Sequence, residues 1–182
     1  MEKTLSIILD GHPFKYEVEA TVKIFYPAMQ FNILCNLGTE VSSIVGDYVY
    51  TQIETTSNTT RLYVKTRIKD NIKEDTITFD YIQERSKNEF EFNLCKLVYN
   101  CLSSLTGKTS AWGLITGIRP VKKYIKLIED GLSKDEIISY MKDVYLITEK
   151  KSELAYNTAI AQMPMLKTVE PKKVSIYISI PF

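Results

Sequence analysis

Apolar and polar positions alternate along most of the first half of the chain and recur at helical spacing along most of the second. Leu5 to Leu9 is a short apolar run closed by Asp10-Gly11, which predicts a buried strand and a turn. Residues 15–26 place Val18, Val22 and Phe25 at i, i+4, i+7, predicting a helix that Pro27 ends. In 31–37 the odd-numbered positions are apolar. Residues 47–54 hold Tyr48, Val49, Tyr50 and Ile53, and Leu62, Val64 and Ile68 share one face of 60–68. A fourth alternating run spans Thr76 to Ile82. The polar stretch 55–59 reads as a hairpin loop and 69–71 as a turn. A strand, a helix and then successive strands predict an α+β domain: a small, mainly antiparallel sheet with one early helix over one face.

From Ser86 the texture becomes helical, and several helix ends are written locally. Ser86-Lys87-Asn88-Glu89 and Ser133-Lys134-Asp135-Glu136 are capping boxes, in which the serine hydroxyl accepts from the N3 amide and the glutamate reaches back. The first opens a helix carrying Phe90, Leu94, Leu97, Cys101 and Leu105, ended by Gly107. The second, with Leu132 and Ile137 as a hydrophobic staple, opens a helix whose buried stripe is Ile137, Ile138, Met141 and Tyr145. Between them Pro120 suits a first helical position, Val121, Tyr124, Ile125 and Ile128 face a core, and Gly131 ends the turn. A last helix runs from near Thr148 to the neighbourhood of Pro164. The resulting division is a β-rich subdomain over 1–84, a helical subdomain over 85–168, and a linker with one further strand over 169–182.

Composition narrows the chemistry. The 182 residues are 45% hydrophobic and 25% charged, as in a globular protein, and 23 Lys+Arg against 22 Asp+Glu leave a net charge of +1. That balance argues against a large footprint for nucleic acid or an anionic membrane. No apolar run approaches the ~20 residues that span a bilayer, and no signal-peptide pattern opens the chain, so the expected address is cytoplasmic. Three cysteines, Cys35, Cys95 and Cys101, have neither disulfide-framework nor C-x-x-C spacing and read as buried reduced thiols. The single histidine, His12, lies in a Gly-His-Pro turn. No catalytic or metal-ligating set is legible in these residues.

Two clusters stand out as candidate binding residues. The outward positions of the third alternating segment are Arg61, Tyr63, Lys65 and Arg67, a basic face with one aromatic. It suits phosphate or carboxylate, or single-stranded RNA in a stand-alone module; its ordinary role is to solvate a sheet face. The second cluster is the connection 111–123, with Trp112, Gly113, Thr116, Gly117, Arg119 and Lys122 leading into a helix start. Amide groups, the helix dipole and two cations gather there, which predicts a site for carboxylate or phosphate. A glycine-shaped loop with Trp112 filling a gap is the structural alternative. The end of the chain, Val174-Ser175-Ile176-Tyr177-Ile178-Ser179-Ile180, alternates cleanly and predicts a strand with an open edge. Such a strand suggests a truncated chain and offers a route to self-association through 174–182.

The motif W-G-L-I-T-G-I-R-P-V-K-K at 112–123 and the terminal V-S-I-Y-I-S-I-P-F resemble the N-terminal region of oxygen-independent coproporphyrinogen III oxidase-like proteins, in the coproporphyrinogen dehydrogenase subgroup. The resemblance runs from about Leu105 to Phe182. It implies that 175–182 is the first strand of a radical SAM barrel, and that a C-x-x-x-C-x-x-C motif for a [4Fe–4S] cluster and S-adenosylmethionine follows it. None of the three cysteines matches that motif. The implied parent decarboxylates coproporphyrinogen III oxidatively to protoporphyrinogen IX in haem biosynthesis, or handles haem instead. This chain would then be its accessory region, inactive alone and partnered by the missing barrel. The Arg119/Lys122 loop would help to seat the tetracarboxylate, or the extension would only rigidify the parent.

Overall fold

A computed structural model describes residues 4–35, 44–80, 87–116 and 119–167. The Ser86 capping box, Gly117 and the alternating segment 174–182 lie outside the described residues. The chain forms two compact units, 1–110 and 111–182. The first contains β1 (Thr4–Asp10), α1 (Lys15–Phe25), β2 (Gln30–Cys35), β3 (Asp47–Thr55), β4 (Thr59–Ile68), β5 (Asn71–Asp80) and α2 (Lys87–Thr106). The second contains α3 (Val121–Glu129), α4 (Lys134–Tyr145) and α5 (Glu149–Lys167).

The sheet order is β2-β1-β3-β4-β5, and the sheet is mixed rather than mainly antiparallel. β1 lies parallel to both of its neighbours, while β3, β4 and β5 form an antiparallel meander. The reason lies in β1. Leu5, Ile7 and Leu9 turn to one face and Ile8 to the other, and none is more than 2% exposed. A strand apolar on both faces belongs inside a sheet, and α1 supplies the crossover that a parallel β1–β2 pair requires. β5 begins at Asn71, earlier than the alternation indicated, because its first four residues, Ile72 included, are exposed on an edge strand and show no buried face.

One face of the sheet carries the fully buried Val49, Leu62 and Val64. α2 packs across β3, β4 and β5 and against α1, burying Leu94, Leu97, Val98, Cys101 and Leu102. α2 therefore belongs with the sheet, and the division between units falls after Ser110 rather than at 84. The apolar stripe of α2 is what keeps that sheet face from water.

The opposite face holds a smaller cluster of Ile8, Tyr48 and Tyr50, with Leu34, Ile44 and Tyr63 packed around it. The Asp10 carboxylate accepts from the Tyr50 hydroxyl at 2.8 Å and from Gln52 Nε2 at 3.0 Å. At the end of β1 the Thr51 hydroxyl donates to the Ile8 carbonyl, so it accepts from His12 Nε2, 3.0 Å away. The Phe14 amide donates to His12 Nδ1 at 3.3 Å. Both ring nitrogens are thus used by the turn in one neutral tautomer. Burial holds the His12 pKa below its usual value, against the opposing pull of Thr51 and Asp10. This histidine is structural.

The second unit is built around Tyr124, Ile137, Met141, Ile147, Ala155 and Ala159. Val121, Ile125, Ile128 and the staple residue Leu132 pack against them. The Ser133 box forms in both directions: Glu136 N donates to Ser133 Oγ at 3.4 Å, and Ser133 N donates to Glu136 Oε2 at 2.8 Å. In the core, the Tyr124 hydroxyl donates to Ser152 Oγ at 3.0 Å, and both residues are fully buried. Tyr124→Phe strands the Ser152 hydroxyl and should destabilise this unit by about 1–2 kcal/mol. Adding Ser152→Ala should recover most of that loss. Urea unfolding of the two variants measures both, with an unchanged m value as the control.

Candidate functional site

The connection 111–116 is tied down along its backbone. Leu114 N donates to the Tyr145 carbonyl at 2.9 Å, and Thr148 N donates to the Ala111 carbonyl at 3.1 Å. Within the segment, Ile115 N donates to the Trp112 carbonyl at 3.0 Å. The segment lies directly on the corner between α4 and α5, where Leu146 takes a left-handed φ of 59°. Gly113 makes that approach possible. Its φ is +53°, and a Cβ there would overlap the carbonyl groups of Tyr145 and Leu146. Trp112 is half-buried against the helical core, and the Lys151 ammonium lies 5.3 Å from its ring centroid. Trp112 and Gly113 therefore position the loop, while Thr116 is exposed at its end.

Arg119 and Lys122 are exposed at the start of α3, as the spacing indicated. Two amides there are already engaged: Lys122 N donates to the Arg119 carbonyl at 3.3 Å, and Lys123 N to the Pro120 carbonyl at 3.2 Å. Positive charge here comes mainly from side chains rather than from open amides. Sequence reasoning stopped at Lys122 and missed Lys126, one helical turn further along the same side. The i, i+3, i+4, i+7 spacing of Arg119, Lys122, Lys123 and Lys126 was its visible signal.

The basic face of β4 is occupied by its own neighbours. The Arg67 guanidinium donates to the carbonyls of Gly46 and Ile44 and lies 4.9 Å from the Tyr48 ring centroid. Lys65 Nζ is 3.8 Å from Glu74 Oε2, which also accepts from the Tyr63 hydroxyl. Burial and that carboxylate push the Tyr63 pKa up to about 12. Arg61 donates to Thr76 Oγ1 at 3.4 Å and lies over the Tyr63 ring at 5.1 Å. Asp10, Glu54 and Glu74 share this face, by the strand register, and offset the three cations.

No protein-family model matches the chain. Over 117 residues, 61% of its length, it is 34% identical to the oxygen-independent coproporphyrinogen-III oxidase-like protein HemZ of Bacillus subtilis (strain 168). The chain is thus similar to a coproporphyrinogen-III oxidase-like protein. It spans 23% of that relative's length. Among solved structures, protein VC0702 from Vibrio cholerae aligns over 88% of this chain and 94% of its own, at 9% identity. The TM-score of 0.31 is too low for a common fold to be argued from it.

The cluster that the resemblance implies needs three thiolates, and the cysteines of this chain do not fit it. Cys95 and Cys101 are buried in α2 as expected, but Cys35 is exposed rather than buried, because it ends the edge strand β2. Burial pushes the Cys95 thiol up to about 11 and the Cys101 thiol up to about 12, so both stay protonated at neutral pH. Among the described residues no group of three His, Cys, Asp or Glu side chains is placed to hold a metal ion. No membrane-spanning helix is present among them either.

Two outcomes follow. Gly113→Ala should destabilise the second unit by about 3 kcal/mol or more, since left-handed strain adds to overlap with backbone that has no side-chain freedom to yield. Thermal unfolding followed by circular dichroism reads this. In the native chain a thiol reagent at neutral pH should label Cys35 within minutes and leave Cys95 and Cys101 unlabelled until denaturant is added, as counted by mass spectrometry.

Proposed function

We propose that this chain is the accessory N-terminal part of an oxygen-independent coproporphyrinogen-III oxidase-like protein. In that reading the α3 corner bearing Arg119 and Lys122 helps hold the carboxylates of the porphyrinogen while a following region performs the reaction. The observation that carries the reading is the 34% identity to the coproporphyrinogen-III oxidase-like relative. The exposed Arg119 and Lys122 are consistent with it, because coproporphyrinogen III bears four carboxylates and cationic donors are their natural partners.

The reaction of such a parent is oxidative decarboxylation of two propionate side chains to vinyl groups, giving protoporphyrinogen IX. A [4Fe–4S] cluster with S-adenosylmethionine would supply the radical chemistry from residues outside this chain. The chain's own part is to bind and orient anionic arms, so by itself it is inactive. An RNA-binding module on β4 has less support, since Arg61, Lys65 and Arg67 are all engaged by neighbouring groups. A haem-handling parent would use the same carboxylate contacts and differ only in lacking turnover.

In the full-length protein, Arg119→Ala combined with Lys122→Ala should raise KM for the porphyrinogen about five- to tenfold with kcat nearly kept, by loss of charge-assisted contacts. Unchanged steady-state kinetics would leave the corner structural. Binding of haem without any porphyrinogen turnover would favour the haem-handling parent.

A further inference from the structure

α5 turns one side to the core of the second unit and carries a second apolar face on the side away from it. Ser152, Ala155 and Ala159 are buried on the core side. Leu154, Ala161 and Met165, at i, i+7 and i+11, share the opposite side, where Leu154 is 53% and Met165 72% exposed. From Leu154 to Leu166 thirteen consecutive residues carry no charge. The charged residues of α5 lie within its first five positions, 149–153, and at Lys167. An apolar centre with charge at its ends is the layout of a contact surface, and a helix apolar on two sides is suited to being covered on both.

The far end of α5 adds an independent observation. After Ala159 none of the described side chains of the helix is fully buried, although Ile160, Ala161, Met163, Pro164 and Met165 are apolar. Pro164 lies inside the helix and lacks the amide that would donate to the Ile160 carbonyl. A helix end with a missing hydrogen bond and no core beneath it has little to hold it, because helices owe most of their stability to packing of an apolar face. We propose that the outer face of α5, centred on Leu154 and Ala161, is the docking surface for the region that follows α5 in a longer parent protein, which meets it with an uncharged apolar surface of its own.

The size of the face decides between occupants. From Leu154 to Met165 it is about 17 Å long and about 10 Å wide, roughly a few hundred Å² at most. Stable association of separate chains takes about 800 Å² from each partner. A second copy of this chain or a free protein would therefore be held weakly. A region joined to α5 by a short linker needs less area, since the tether keeps it near the millimolar range of effective concentration. The chain spans 23% of the length of its HemZ relative, so a protein of that size has ample chain to supply such a neighbour. The face also disfavours a charged occupant, because nothing from 154 to 166 would pair with a charge desolvated there. The existence of the longer parent rests on the reading under Proposed function; the position of the face does not.

Backbone hydrogen exchange followed by mass spectrometry tests this by comparing the 182-residue chain with the full-length protein. Amides in 160–167 should exchange rapidly in the 182-residue chain and about a hundredfold more slowly in the full-length protein. Leu154→Glu combined with Ala161→Glu should leave the urea midpoint of the 182-residue chain unchanged, as exposed positions do. In the full-length protein the same pair should restore the fast exchange, whereas Leu154→Met should keep the protection. The proposal is overturned if 160–167 exchange equally fast in both proteins, or if they are already slow in the dilute, monomeric 182-residue chain. A glutamate variant that stays protected, or that lowers the urea midpoint of the 182-residue chain, would also overturn it. Protection that grows with the concentration of the 182-residue chain, with a dimer mass in sedimentation, would replace it with a second copy. Protection in the full-length protein with unaltered kinetics in its Arg119/Lys122 variant would sink the carboxylate reading alone. Altered kinetics without protection would sink this one alone.

Discussion

The second unit is organised by a place where two stretches of backbone touch. Ala111 to Leu114 lies on the Tyr145–Thr148 corner through hydrogen bonds in both directions, and the contact is close enough that only a glycine fits at 113. That junction fixes where the loop leaves the α4–α5 corner and where Trp112 packs on the core. The corner itself costs something, since Leu146 is held in a left-handed conformation without being glycine. The hydrogen bonds from Leu114 and Thr148 and the burial of Ile147 offset that strain. Residues that look in sequence like an anion-binding loop are, in their first half, a structural clasp.

Charge in this protein separates into two kinds. On β4 the cations are consumed by the fold: Arg67 ties down the approach to β3, Lys65 faces Glu74, and Arg61 stacks on Tyr63. On α3 the positive charge lies along an exposed helical side, with no acid in the first turn. A near-zero net charge conceals this arrangement, because the whole-chain sum weighs paired and unpaired groups equally.

Much of the fold was legible in residues that act within a few positions of one another. The Ser133–Glu136 box, the stop after α1 before Pro27, the apolar stripes of α3 and α4, and the strands at 47–55 and 59–68 form as their local patterns indicate. The early start of β5 was not legible, because the residues from Asn71 to Glu74 are all exposed on an edge strand and carry no apolar alternation. The place of α2 was missed for a related reason. An amphipathic stripe states that a helix has a buried side without stating which layer buries it. The run Leu5 to Leu9 did hold more than was drawn from it, since the consecutive Ile7, Ile8 and Leu9 put apolar side chains on both faces, the mark of a strand covered on both sides.

For the candidate site the same line divides what was legible from what was not. The sequence by itself determined the helix that follows Arg119 and carries Lys122, because helical spacing is a local property. It determined equally that a glycine stands at 113 and that no cysteine pair is spaced for a metal. Only the tertiary structure decided that Gly113 meets the end of α4 and that β1 lies between β2 and β3. Only there, too, does it emerge that Arg61, Lys65 and Arg67 are engaged by neighbouring groups. Those outcomes depend on atoms tens of residues away. Pairing, burial and charge compensation are settled by which surfaces the fold brings together, and a local pattern does not contain that information.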